Sequence, residues 1–236
     1  EKLTEIYKEL EFNAWLQEAP EKKTIPTKVN SSYICISSQD LLEKVIKNAS
    51  KAKTIAIDTE TTGLDYMDTD LVGISLSYKP GEAYYIPINH HDDTVNQLKL
   101  NVVLDALKPV LESSKNKIIG QNIKFDRNVL AKYGINISSI KNDTMMMSYV
   151  LDASATRHNL DALSSYYLNY KTSTFEDVAG KGVKQVTFDQ VPIEEATNYA
   201  AEDADITLRL YEELNPKLES VASLKKLNEE IEIPLI

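Results

Sequence analysis

The sequence predicts an α/β fold, a mixed central β-sheet flanked by α-helices. Short apolar runs bounded by turn residues crowd residues 33–88. A single strand–helix alternation follows at 117–133, and helical periodicity then dominates to residue 214. Strands early and helices late describe a sheet covered by helices.

Residues 1–19 place Leu3, Ile6, Tyr7, Leu10 and Trp15 at helical spacing. Pro20 and Pro26 bracket a linker at 21–27, so the compact domain is expected to start near residue 31. Tyr33-Ile34-Cys35-Ile36 reads as a strand and 39–49 as an amphipathic helix. A central strand ends at Asp58, and strands at 71–78 and 83–88 follow the turns Gly63-Leu64-Asp65 and Lys79-Pro80-Gly81. Helices are expected at 96–111, 122–133, 143–151, 159–168 and 193–214, with a short strand at 117–119. The tail from Asn215 to Ile236 reads as the start of something cut from a longer chain.

With 236 residues, 42% hydrophobic and 26% charged, the chain has the composition of an ordinary globular domain. Its longest apolar stretches are too short for a membrane span, and its polar first residues do not read as a signal peptide. Cys35 stands alone, so no intramolecular disulfide forms and a cytoplasmic setting is expected. A net charge of −10 argues against coating nucleic acid through a broad basic face. It leaves room for a protein that grips only a strand end.

Chemistry concentrates in four carboxylates. Asp58 and Glu60 close the apolar run Thr54-Ile55-Ala56-Ile57, and residues two apart on a strand share a face. Two acids side by side at the end of a buried strand call for a cation. Asp126 falls in the first turns of a helix for which Asn122 reads as the N-cap. Tyr199 and Asp203, four apart, share a helix face among small alanines. Glu202 and Asp205 are expected to be solvated. His90-His91 lacks a third ligand at zinc spacing and reads as a surface loop. Met145-Met146-Met147 reads as core filler.

In order, these motifs give Asp-x-Glu on a strand, a mid-chain Asp, and Tyr-x-x-x-Asp on a late helix. Around them stand Gly120-Gln121-Asn122-Ile123-Lys124-Phe125-Asp126, Arg157-His158-Asn159-Leu160-Asp161, Thr174-Phe175-Glu176-Asp177-Val178-Ala179-Gly180-Lys181-Gly182 and Ala200-Ala201-Glu202-Asp203-Ala204-Asp205. The chain resembles, from about residue 33 to 215, the 3′–5′ proofreading exonuclease domains of bacterial DNA polymerase I, the family A polymerases. Those domains belong to the Tyr-containing subclass of DEDD exonucleases.

The resemblance implies an RNase H-like exonuclease fold over 31–215. It also implies a junction with a preceding 5′-nuclease region at 1–30, and entry into a covalently linked polymerase domain at 216–236. It assigns Asp58, Glu60, Asp126 and Asp203 to two divalent ions, Mg²⁺ or Mn²⁺, and gives Tyr199 the orientation of the attacking water. Leu64 and Phe175 are implied as apolar contacts to terminal bases, and Gln121, Asn122 and Arg157 as polar contacts to the strand. The implied activity is removal of nucleoside 5′-monophosphates from a DNA 3′ end, by a monomer in the bacterial cytoplasm at the nucleoid. The rival readings are an inactive strand-holding module and an exoribonuclease resembling RNase D.

Overall fold

Thr54-Ile55-Ala56-Ile57 is apolar on both faces, as a strand covered on both sides must be, and it forms the middle of the sheet. The computed structural model describes residues 31–236 together with Ile6 and Tyr7; the helix and linker expected at 1–30 otherwise lie outside the described residues. Six strands pair in one sheet: β1 (Ser32–Cys35), β2 (Thr54–Thr61), β3 (Leu71–Lys79), β4 (Glu82–Pro87), β5 (Lys117–Gly120) and β6 (Ile140–Asp143), in the order β1-β4-β3-β2-β5-β6. The β2–β3 and β3–β4 pairs are antiparallel, and β1–β4, β2–β5 and β5–β6 are parallel. The mixed sheet is therefore as expected.

The helices are α1 (Gln39–Ala49), α2 (Leu100–Leu111), α3 (Ile123–Lys132), α4 (Thr144–Leu151), α5 (Leu160–Leu163), α6 (Phe175–Ala179), α7 (Ile193–Glu219) and α8 (Ala222–Leu227). Alternation along β2 sorts them into two layers. Ile55 and Ile57 pack with Leu42 and Val45 of α1, Leu107 of α2 and Leu130 of α3. Ala56 points the other way, onto Ile206 and Leu210 of α7 and Met147 of α4. Asp58 and Glu60 share the Ala56 face, so both acids turn toward α7, whereas Thr59 turns toward α3. Ala196, Ala200, Ala201 and Ala204 are fully buried, and these small side chains let α7 lie close to the sheet.

The pairing of β2 with β5 ends at Ala56 opposite Ile119. Beyond it β2 runs on with one edge open, and its register against β3 shifts between Glu60 and Thr61. Such an irregularity re-aims side chains at the end of a strand. Among the described residues no helix is long and apolar enough to cross a membrane.

Several elements depart from expectation. The helix expected at 96–111 begins at Leu100. The stretch at 159–168 is a single α-turn continued by a π-helical turn over Ser164–Leu168. Strand β6 and helix α6 were not foreseen: each is only four or five residues long and interrupted by polar residues, whereas the equally short β1 and β5 carry apolar runs. Helix α7 runs to Glu219, through the boundary expected at 215. Only Met147 of the methionine run is fully buried.

Candidate active site

Asp58 and Glu60 leave the open end of β2, and Asp203 meets them from α7. One carboxylate oxygen from each lies within 4.8 Å of the others. Burial pushes all three up, Glu60 to about 8 and Asp58 and Asp203 well above the usual carboxylate range, and the acids' mutual repulsion adds to it. Glu60 Oε1 is buried with no hydrogen-bond partner among the described residues. An all-oxygen donor set with an orphaned carboxylate oxygen fits a hard divalent cation.

Asp126 stands beside this cluster and not inside it. It is 2% exposed and pushed up to about 7, chiefly by burial. Its Oδ1 accepts from the Thr59 N–H at 2.8 Å and the Thr59 hydroxyl at 2.6 Å. The reason is visible in the sheet: past Ala56, β5 no longer offers β2 a main-chain acceptor, and the Asp126 carboxylate supplies one. The Asp126 charge also adds to the rise of Asp58 and of Glu60.

Tyr199 lies one turn before Asp203 on α7. Burial and then the Asp203, Glu60 and Asp58 charges raise its hydroxyl far above the usual phenol range, which disfavours the phenolate and a role as strong base. Beside the acids opens a cleft of about 630 Å³ lined by Glu60, Leu64, Phe125, Phe175, Phe188 and Tyr199, among others. Leu64 is 95% exposed at its rim, which excludes a core-packing role. Phe175 is 37% exposed, stacked on Phe188 at 6.3 Å and edge-on to Tyr199 at 6.4 Å.

A model of the 3′–5′ exonuclease family matches residues 33–219. The chain belongs to this family. DNA polymerase I of Pseudomonas aeruginosa is 44% identical over 248 residues, covering all of this chain and 27% of that protein. DNA polymerase I of Borreliella burgdorferi is 39% identical, covering 89% and 22%. The chain thus spans about a quarter of the length of the curated relatives it matches. Solved structures share its fold: the POL domain of Pol1 from M. smegmatis in complex with DNA primer-template and dNTP (TM-score 0.63, 16% identity, 83% of this chain and 29% of that one). NrnC of Brucella melitensis with bound Mg²⁺ aligns with a TM-score of 0.55 at 22% identity, over 86% and 94%. The RNase H-like exonuclease fold implied by the resemblance is the fold observed.

The other expected contacts of this exonuclease domain sit outside the cleft lining. The Gln121 side chain is engaged internally, donating to the His158 carbonyl at 2.8 Å and accepting from the Thr144 hydroxyl at 2.5 Å. That bond ties down the segment carrying Arg157, which is exposed and makes no hydrogen bond or ion pair among the described residues. Asn122 does not cap α3 through its side chain. It is exposed and left-handed (φ 58°, ψ 41°), a conformation Asn tolerates better than most residues. The cap comes from Asp143, which accepts from the backbone N–H of Asn122, Ile123, Met145 and Met146 at once. A partner twenty residues away leaves no local sequence signal.

Glu202 and Asp205 are not solvated; they are 6% and 0% exposed. Glu202 accepts from the Tyr170 hydroxyl and the Ser173 N–H, both at 2.6 Å. Asp205 accepts from the Gly81 N–H at 2.7 Å and the Tyr33 hydroxyl at 3.1 Å. Nor is His90 a surface residue: it is 6% exposed, while His91 is open to solvent and pairs with Asp189.

Proposed function

We propose that the chain is a proofreading module that removes nucleoside 5′-monophosphates from a DNA 3′ end. The observation that carries this reading is the meeting of Asp58, Glu60 and Asp203 with Tyr199 beside a cleft whose walls are Leu64 and Phe175. Water attacks the terminal phosphorus, the bond from phosphorus to the 3′-oxygen breaks, and the shortened strand leaves with a free 3′-hydroxyl. Two divalent ions, Mg²⁺ or Mn²⁺, held by Asp58, Glu60, Asp203 and Asp126, would supply an activated water and stabilise the leaving oxygen. That one solved fold relative carries bound Mg²⁺ supports the choice of metal.

Tyr199 aligns the attacking water through its hydroxyl. Leu64 and Phe175 stack against the last bases without reading sequence, and Asn122 and Arg157 guide the strand outside the cleft, Arg157 as a phosphate-directed cation on a segment that Gln121 holds in place. On this reading residues 31–215 form the exonuclease domain, flanked by a 5′-nuclease junction at 1–30 and a polymerase domain from 216. The protein works as a monomer in the bacterial cytoplasm at the nucleoid.

The test is nucleotide release from 5′-labelled single-stranded DNA, with matched RNA alongside, in Mg²⁺ and in EDTA. DNA should be shortened from its 3′ end in Mg²⁺ only, faster than RNA, and Asp203→Ala should abolish the activity while keeping the parent circular dichroism. An Asp203→Ala protein as active as the parent would sink the mechanism, and faster loss of RNA would sink the substrate assignment.

A further inference from the structure

The acid cluster spans two elements, β2 and α7, so its geometry depends on how those elements are held together. A polar tie on the same face of the sheet holds the start of α7 in place. The His90 ring lies with Nδ1 3.0 Å from the Val191 carbonyl, two residues before α7. A carbonyl only accepts, so Nδ1 carries the proton and Nε2 is left as an acceptor. The Tyr85 hydroxyl, 2.7 Å away, donates to it. Two further bonds fasten the same segments: the His91 N–H to the Asp189 carbonyl at 2.8 Å, and the Ile193 N–H to Asp92 Oδ2 at 2.9 Å.

Tyr85 carries the tie to the acids. Asp58, Ser75 and Tyr85 form one row across β2, β3 and β4, so Tyr85 shares the face of Asp58. Its ring crosses Gly73, where even a methyl group would overlap the hydroxyl. Gly73 is paired with Glu60, and directly opposed residues share a face. The hydroxyl therefore occupies the space beside Glu60 that any other residue at position 73 would fill.

We propose that Tyr85 and His90 are positioning residues of the exonuclease site. The Tyr85–His90–Val191 tie fixes the first turns of α7 against β2 and β3. It thereby sets the separation of Asp203 from the Asp58–Glu60 pair and the aim of Tyr199. This rests on the proposed nuclease reading.

The 236-residue chain is compared with Tyr85→Phe, which keeps the ring and deletes the hydroxyl, with His90→Ala, and with His90→Gln, whose amide can bond both partners. Partners that orient metal ligands are typically worth about 10–100-fold in metal affinity or activity. In Tyr85→Phe and His90→Ala, kcat on single-stranded DNA at saturating Mn²⁺ should fall roughly tenfold with KM little changed. The Mn²⁺ concentration for half-maximal rate should rise, and His90→Gln should recover part of both. Folded Tyr85→Phe protein with the parent's kcat and Mn²⁺ dependence would overturn the proposal. Calorimetric Mn²⁺ binding reads the same geometry without turnover. If the parent binds Mn²⁺ but leaves DNA intact, the nuclease reading fails, and weaker Mn²⁺ binding in Tyr85→Phe still upholds the positioning role.

Discussion

Thr59 stands between two acids and faces the other way, and its role follows from that. Both its N–H and its hydroxyl point at Asp126 Oδ1, and both bonds counter the burial that drives the Asp126 carboxyl up. A hydrogen bond to a charged group is worth about 1.5–3 kcal/mol. Thr59→Val keeps the shape and the N–H but deletes the hydroxyl, so urea unfolding should show a loss of about that size. Nucleotide release should fall as well, because Asp126 loses its fixed aim, and Thr59→Ser should restore both properties. A valine variant matching the parent in stability and rate would mean that the hydroxyl bond is incidental. The acids on either side were legible in the sequence because strand alternation puts them on one face. Thr59 was not, since its partner lies 67 residues away.

At the scale of elements, α7 was read with Tyr199 and Asp203 on one face among alanines, and with Glu202 and Asp205 projecting elsewhere, into solvent. In the fold it is enclosed on more of its circumference. β1 and the turn between β3 and β4 reach Asp205, and the segment before α6 reaches Glu202. Long elements and the short apolar strands β1 and β5 were foreseen; the short polar β6 and α6, and contacts made between elements, were not. The Glu202 anchor has a functional corollary. It holds Tyr170 and Ser173, and two residues later the chain enters α6 with Phe175 on the cleft wall. Charge-assisted bonds of this kind are about twice as strong as neutral ones. Glu202→Gln should therefore loosen the Phe175 wall and raise KM for single-stranded DNA about threefold or more, with kcat changed less. Fluorescence anisotropy with labelled DNA in Ca²⁺ reads the binding directly. Unaltered affinity in that assay would detach Glu202 from substrate binding.

For the molecule as a whole, the acid cluster makes stability a function of pH and metal together. Without metal, folded Glu60 is pushed up to about 8 from 4.5 and Asp126 to about 7 from 3.8, and burial raises Asp58 and Asp203 in the same direction. Between about pH 4 and pH 8 the folded state therefore holds more protons than the unfolded chain, and stability falls as pH rises through that window. His90 opposes this below about pH 6.5, because burial lowers its pKa and the unfolded ring takes up the proton first. It is one group against seven, since burial raises Asp143, Asp205 and Glu212 as well. The carboxyls held low, such as Asp92 and Asp177, complete their contribution below this range. In EDTA the Tm should drop from pH 5.5 to pH 8 by roughly 5 °C or more, since 1 kcal/mol moves a domain of this size by about 2–4 °C. Saturating Mg²⁺ or Mn²⁺ binds the ionised acids and should raise the Tm most at pH 8, which flattens the profile. Asp58→Asn removes one repelling charge without removing bulk, so in EDTA at pH 8 it should melt above the parent and respond less to metal. A metal-free parent whose Tm is level from pH 5.5 to 8, or an Asp58→Asn protein that melts lower than the parent there, would show that the cluster is not the repulsive, cation-seeking site its geometry describes.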